Sequence, residues 1–135
     1  MDHAARSDVP APNVDLDNER FWDAASRRTL SVGKCEACDA YFFYPRHFCP
    51  FCLSPSVTWA TAAGRGHIYS YTLMRKADPP YVLAYVQLEE GPSMLTNIVE
   101  CDPEQLRIGQ LVEVVYLPSA NGSLVPMFTP SSCKR

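Results

Sequence analysis

Long apolar runs are missing from this chain, and with them the means to cross a membrane as a helix. No stretch approaches the ~20 consecutive apolar residues that a span requires. The first residues also lack the basic-then-apolar layout of a secretory signal. Positive charge is in short supply: 12 Lys and Arg face 15 Asp and Glu, for a net charge of −3 and a pI of about 5.5. That balance counts against a dedicated nucleic-acid binder, whose affinity rests mostly on neutralised phosphates. The common catalytic signatures are absent as well. There is no Gly-x-Ser-x-Gly elbow, no His-Glu-x-x-His and no phosphate loop, and no internal repeat. What remains is an ordinary composition, 47% hydrophobic and 20% charged over 135 residues. That suffices for one domain with a modest core, or a small barrel with an appended module.

Against this background six cysteines stand out, four of them in two pairs. Cys35 and Cys38 lie in CEAC, Cys49 and Cys52 in CPFC, with ten residues between Cys38 and Cys49. Each Cys-x-x-Cys turn presents two sulfurs, and two such turns can close a tetrahedron of thiolates around one ion. Zinc suits that set, iron takes the same ligands, and ligand identity alone leaves both open. Two disulfides or free thiols are the plainer alternatives. With four protein ligands no coordination position is left for substrate, so a metal here holds structure. His47 could replace one of the cysteines as ligand, but four cysteines already satisfy zinc's tetrahedral coordination. Asp39 and Leu53 follow the two turns, where a left-handed residue is expected; Asp tolerates that conformation and Leu does so poorly. Metal spacing in four of six cysteines fits a reducing cytoplasm, with Cys101 and Cys133 expected to remain thiols.

Taken in order, residues 1–16 carry two prolines among small and polar residues and read as a flexible or partner-ordered leader, with His3 solvated. Residues 17–31 read as a helix. Asp17 or Asn18 caps it, Glu19 lies in its first turn, and Arg27 and Arg28 lie in its last. Phe21, Trp22 and Ala25 share a face that either covers the chain's own core or docks a partner. Residues 32–61 form the cysteine ribbon, with a short strand and turn over Tyr41–Arg46 and an exit strand over Val57–Ala60. From residue 62 to 130 the pattern is all-β. A strand over HIYSYTLMR follows Gly64 and Gly66, which suggest a bend or bulge. Further strands are expected at Tyr81–Leu88, Met94–Val99, Leu111–Leu117 and Leu124–Phe128, with SANG as a hairpin turn. Asp102, Pro103 and Gln105 open a short helix that Gly109 ends. Five strands with one helix between the third and fourth is the order of an OB-type barrel. Residues 131–135 form a tail.

The fold expected is therefore all-β with small helices: an N-terminal helix, a rubredoxin-like ribbon, then a five-stranded OB-fold barrel. From Phe21 to Pro130 the chain resembles a bacterial and archaeal family of acyl-CoA-associated proteins. Members of that family join a rubredoxin-like zinc ribbon to an OB-fold, long filed as a domain of unknown function. The residues that carry the resemblance are the Phe21–Trp22 pair, YPRHFCPFC, GRGHIYSYT, VQLEEG, TNIVECDPEQLRIG and VPMFTP. Asp39 and Leu53 depart from it, standing where glycines commonly follow the knuckles. The resemblance implies a non-catalytic accessory subunit with one structural zinc on Cys35, Cys38, Cys49 and Cys52. It implies a thiolase-like acyl-CoA enzyme (thiolase, acyltransferase or aldolase) as partner, and CoA as a shared ligand.

For the CoA phosphates the candidate cations are Arg75 and Lys76, adjacent at the end of the first barrel strand beside the DPPY loop; the alternative is that they only solvate the strand end. Phe21 and Trp22 are the candidate docking pair. Cys101 precedes a helix N-terminus, but Glu100 and Asp102 oppose the lowered pKa that a nucleophile needs. His67 reads as a surface or barrel-end residue. Two other functions stay open: single-stranded nucleic-acid binding on Tyr69, Tyr71 and Tyr85, and electron transfer through iron in the ribbon.

Overall fold

The computed structural model describes residues 9–15, 18–44 and 46–131. The expectations that fall on His3, Asp17, Pro45 and Cys133 lie outside those residues.

One helix, α1 (Glu19–Ser26), precedes a three-stranded sheet of β1 (Ser31–Cys35), β2 (Tyr41–Phe42) and β3 (Val57–Thr61), with β1 in the middle. Five strands follow: β4 (Arg65–Met74), β5 (Tyr81–Leu88), β6 (Ser93–Ile98), β7 (Leu111–Pro118) and β8 (Leu124–Pro130). They close into a barrel in the order β4-β5-β6-β8-β7, with β7 returning to β4. This is the OB order, antiparallel except where β6 meets β8 in parallel at Ile98 and Phe128. Alternation along β5 carries the argument for the core. Val82, Ala84, Val86 and Leu88 are buried inside while Tyr85 faces out.

β4 is long enough to serve two neighbours because it bends. Its pairing with β5 shifts register between Ile68 and Ser70, which leaves Tyr69 as the extra residue of a bulge. Gly66 permits the close approach below it, since a Cβ there would lie 2.3 Å from the carbonyl oxygen of Gln87.

Three local expectations differ from the structure. The helix is shorter than residues 17–31. Asn18 makes no capping bond to it, and its Oδ1 instead accepts from Asp15 N at 2.7 Å. At the other end Arg27 and Arg28 lie beyond the last turn. Arg28 takes φ 59 and donates to Ala25 O, while Thr29 N donates to Ala24 O, the paired bonds of a Schellman stop with arginine where glycine is usual.

The helix expected after Asp102 is a single 3-10 turn, Pro103–Gln105. Asp102 does cap it, accepting from Glu104 N at 3.0 Å. Leu106 is then buried and extended, with its carbonyl accepting from the Tyr71 hydroxyl at 2.9 Å, so Gly109 belongs to a later turn.

The leader is also tied down where it is described. Val9 is buried with Val99, Leu117 and Met127, and its carbonyl accepts from Ala120 N at 2.9 Å.

Candidate functional site

The ribbon centres on two knuckles with the same hydrogen bonding. In the first, Cys35 N donates to Ala40 O and Asp39 N to Cys35 O, each at 2.9 Å. In the second, Cys49 N donates to Ser54 O and Leu53 N to Cys49 O, also at 2.9 Å. The fifth residue of each turn is left-handed, Asp39 at φ 63 and Leu53 at φ 65, so both departures from glycine keep the knuckle geometry. The same turns aim backbone N–H groups at sulfur. Ala37 and Cys38 donate to Cys35 Sγ at 3.3 and 3.4 Å, and Phe51 and Cys52 to Cys49 Sγ at 3.3 and 3.5 Å. Such donors favour the thiolate.

The four sulfurs fit a metal. All lie within 4.8 Å of one another, and the cross-knuckle pairs Cys35–Cys52 and Cys38–Cys49 stand 3.6 and 3.7 Å apart. A tetrahedron with Zn–S bonds of about 2.3 Å has edges of about 3.8 Å, which matches. Without a cation the set is frustrated. On Cys49 burial raises the thiol pKa, but the N–H donors of Cys52 and Phe51, together with the thiols of Cys38 and Cys52, outweigh it and bring it to about 7. On Cys38 a bond from Ala40 lowers the pKa, yet burial and the three neighbouring sulfurs push it up to about 12. Four thiolates this close repel one another, and a divalent ion removes that cost. The ion would sit half-sheltered, for Cys35 and Cys49 are buried while Cys38 and Cys52 are exposed.

The other expected site residues are scattered. Arg75 and Lys76 lie exposed after β4, and Arg75 Nη2 stands 3.6 Å from Glu104 Oε2. Next to them a groove of about 400 Å³ runs between Ala77, Asp78, Pro79, Tyr81, Asn97 and Met127. Phe21 is 2% exposed, so it belongs to the chain's own core and not to a docking surface. Its ring meets Trp22, Phe43 and Tyr44 at centroid distances of 5.0, 5.7 and 5.0 Å. Of the pair only the half-buried Trp22 keeps a surface to offer. Cys101 is a half-buried thiol on the core's edge. His47 is exposed and His67 half-buried, lining a second groove of about 320 Å³ with Arg65 and Glu89. Tyr69 and Tyr85 stand exposed, whereas Tyr71 is occupied by Leu106. The sequence pattern did not single out Phe48 and Phe51, and it marked Leu53 only for its backbone; all three are exposed on the second knuckle. Aligning the two knuckles on their cysteines would have shown them.

Fold and metal centre together define a rubredoxin-like zinc ribbon fused to an OB barrel. Residues 22–58 match the ChsH2 rubredoxin-like zinc ribbon domain, and residues 59–117 the ChsH2 C-terminal OB-fold domain. A DUF35 domain-containing scaffold protein of Methanothermobacter thermautotrophicus is 37% identical over 105 residues, 72% of this chain and 79% of the relative. The chain belongs to this ChsH2/DUF35 scaffold family. A probable enoyl-CoA hydratase alpha subunit of Thermomonospora curvata is 33% identical over 127 residues, 90% of this chain but only 40% of that protein's length. Among solved structures, a chain of the Ltp2-ChsH2(DUF35) aldolase superposes with a TM-score of 0.79 at 32% identity, covering 90% of this chain and 99% of that one. A DUF35 protein from Sulfolobus solfataricus shares the fold at a TM-score of 0.63 and 15% identity. The zinc-ribbon family and the four cysteines support a structural zinc. Among the described residues no helix is long and apolar enough to cross a membrane.

Proposed function

We propose that this chain is a non-catalytic, cytoplasmic accessory subunit that binds a thiolase-like acyl-CoA enzyme and helps hold the CoA moiety. The observation that carries the reading is the near end-to-end match to the chain from the Ltp2-ChsH2(DUF35) aldolase. The site chemistry supports it: four thiolates fill a tetrahedral metal's coordination and leave no open position for substrate. Arg75 and Lys76 are the cations proposed to meet the CoA phosphates when the partner closes the adjoining groove, Arg75 exchanging Glu104 for phosphate. Trp22 is proposed to contribute to docking.

The experiment is co-expression with a thiolase-like subunit, followed by sizing and acyl-CoA kinetics. The isolated chain is expected to show no thiolysis, condensation or hydrolysis above a buffer blank. Turnover by the chain alone that vanishes in Cys101→Ala would overturn the accessory reading. In the complex, Arg75→Glu with Lys76→Glu is expected to raise KM for acyl-CoA without dissociating the subunits. Unchanged saturation at low salt would remove these two residues from the site. Trp22→Ala is expected to weaken assembly instead.

A further inference from the structure

The two knuckles share a backbone but not a surface. Counted from their first cysteines, Lys34, Ala37 and Asp39 of one correspond to Phe48, Phe51 and Leu53 of the other. In the first, the outer two positions are neighbours in space: Lys34 Nζ stands 3.3 Å from Asp39 Oδ1. The second sets Phe48 and Leu53 at those same positions, 57% and 74% exposed, with Phe51 at the turn's apex 68% exposed.

The metal needs none of the three, because the first knuckle makes the same N–H to sulfur turn with Lys, Ala and Asp. The ribbon's own small core does not use them either; it consists of Cys35, Phe42 and Cys49 with Val57 against them. Leu53 moreover holds its exposed place at φ 65, a conformation that glycine or aspartate adopts more readily. Three large apolar side chains in water on one turn gain only by being covered. Along the sequence the formal charge leading into the turn is the positive Arg46, and no acidic residue lies between Asp39 and Asp78 in a chain of net charge −3.

We propose that the second knuckle is a prong whose Phe48, Phe51 and Leu53 enter an apolar pocket with an acidic rim on the enzyme subunit, the rim facing Arg46. This rests on the accessory-subunit reading and names its contact. A second copy of the chain fits less well as the occupant. Its acidic knuckle offers carboxylates already engaged, Glu36 by Thr58 at 2.8 Å and Asp39 by Lys34. Three side chains make a hot-spot cluster rather than a whole interface, so other contacts persist when they are lost.

The first knuckle supplies the test variant. Phe48→Lys/Phe51→Ala/Leu53→Asp puts on the second turn residues that the first already tolerates, and zinc content and Tm of the purified chain verify that the ribbon still forms. With the purified thiolase-like subunit as probe, Kd is expected to rise about a hundredfold in the triple variant. Phe51→Ala alone is expected to cost about tenfold. Arg46→Glu is expected to weaken binding at low salt and to matter less as salt rises. An unsubstituted chain that binds while the zinc-loaded triple variant stays within twofold of it would overturn the prong and spare the accessory reading. A triple variant that loses only self-association would assign the prong to a second copy, against this proposal. No assembly by the unsubstituted chain would sink both.

Discussion

In the barrel, side chains that alternate along five strands fill one interior, with Ile68, Val86, Val112 and Phe128 at 1% exposure or less. Among the described residues at the metal end of the ribbon, the buried apolar cluster is just Cys35, Phe42 and Cys49. Two regions of one chain are thus held by different means, apolar burial in one and coordination in the other. They are not separate bodies. Leu30 and Val32 from the ribbon and Phe21 from the helix lie in the same cluster as the barrel's Ile68, Val86 and Phe128. The Arg20 guanidinium ties the helix to the ribbon sheet in addition, lying 5.0 Å from the centroid of the Trp59 ring on β3. The lesson is that β1 changes role along its five residues, giving the barrel core Val32 near one end and the metal Cys35 at the other.

Removing the metal tests this division hardest. Structural zinc sites bind with about 10–16 kcal/mol of apparent free energy, far more than three buried side chains offer. Protein purified without chelator should carry about one zinc per chain. Cys35→Ser or Cys49→Ser should unfold the knuckles while the barrel's amides stay protected in hydrogen exchange. Protection should extend into β1 as far as Val32, because that end belongs to the barrel core. Well-folded protein without metal would refute the assignment. Acidification should act in the same direction: binding requires thiolates, so zinc affinity falls with pH. The barrel's counterpart is Phe128→Ala, which empties the centre of the shared core and should cost about 3–5 kcal/mol in denaturant unfolding. If that variant also releases zinc, the two regions unfold as one unit.

A smaller perturbation compares the regions glycine for glycine. An alanine Cβ at Gly66 would meet the Gln87 carbonyl oxygen at 2.3 Å, and one at Gly33 would meet the Phe42 ring at 2.3 Å. The first neighbour is backbone in a paired strand, and the second is the outer edge of a buried ring in a core of three residues, which has fewer neighbours to hold it. Gly66→Ala should therefore cost about 1–3 kcal/mol and Gly33→Ala less, read as Tm shifts. Equal losses would show that Phe42 is as fixed as the ladder.

Much of this was legible in the sequence because it rests on short-range rules. Cysteine spacing names a ligand set, alternation names the inner face of β5, and the Asp-Pro pair at residues 102 and 103 names a capped turn. What was hidden depends on partners far along the chain. The 3-10 turn stops at Gln105 because Tyr71, on β4, takes the Leu106 carbonyl. Phe21 turns inward because Phe43 and Tyr44 lie beneath the helix, and no helical periodicity records them. The CoA contact proposed for Arg75 and Lys76 rests on no such short-range rule, because it depends on a partner surface that would close the adjoining groove.

The smallest expected effect separates the two knuckles from each other. Both Asp39 and Leu53 occupy left-handed backbone, but they pay differently for it. Aspartate visits that region more readily than leucine, and Asp39 recovers something through its solvent-screened contact with Lys34 at 3.3 Å. Leu53 is 74% exposed and recovers nothing from packing. Glycine carries no Cβ penalty at either place, so Leu53→Gly should stabilise the zinc-loaded chain by roughly 0.5–1 kcal/mol. Asp39→Gly should change it by less than about 0.5 kcal/mol, with the conformational gain offset by the lost ion pair. Thermal unfolding at saturating zinc measures both. A destabilised Leu53→Gly would mean that leucine packs usefully in the isolated chain, and the second knuckle would then owe its apolar surface to folding and not to an assembly.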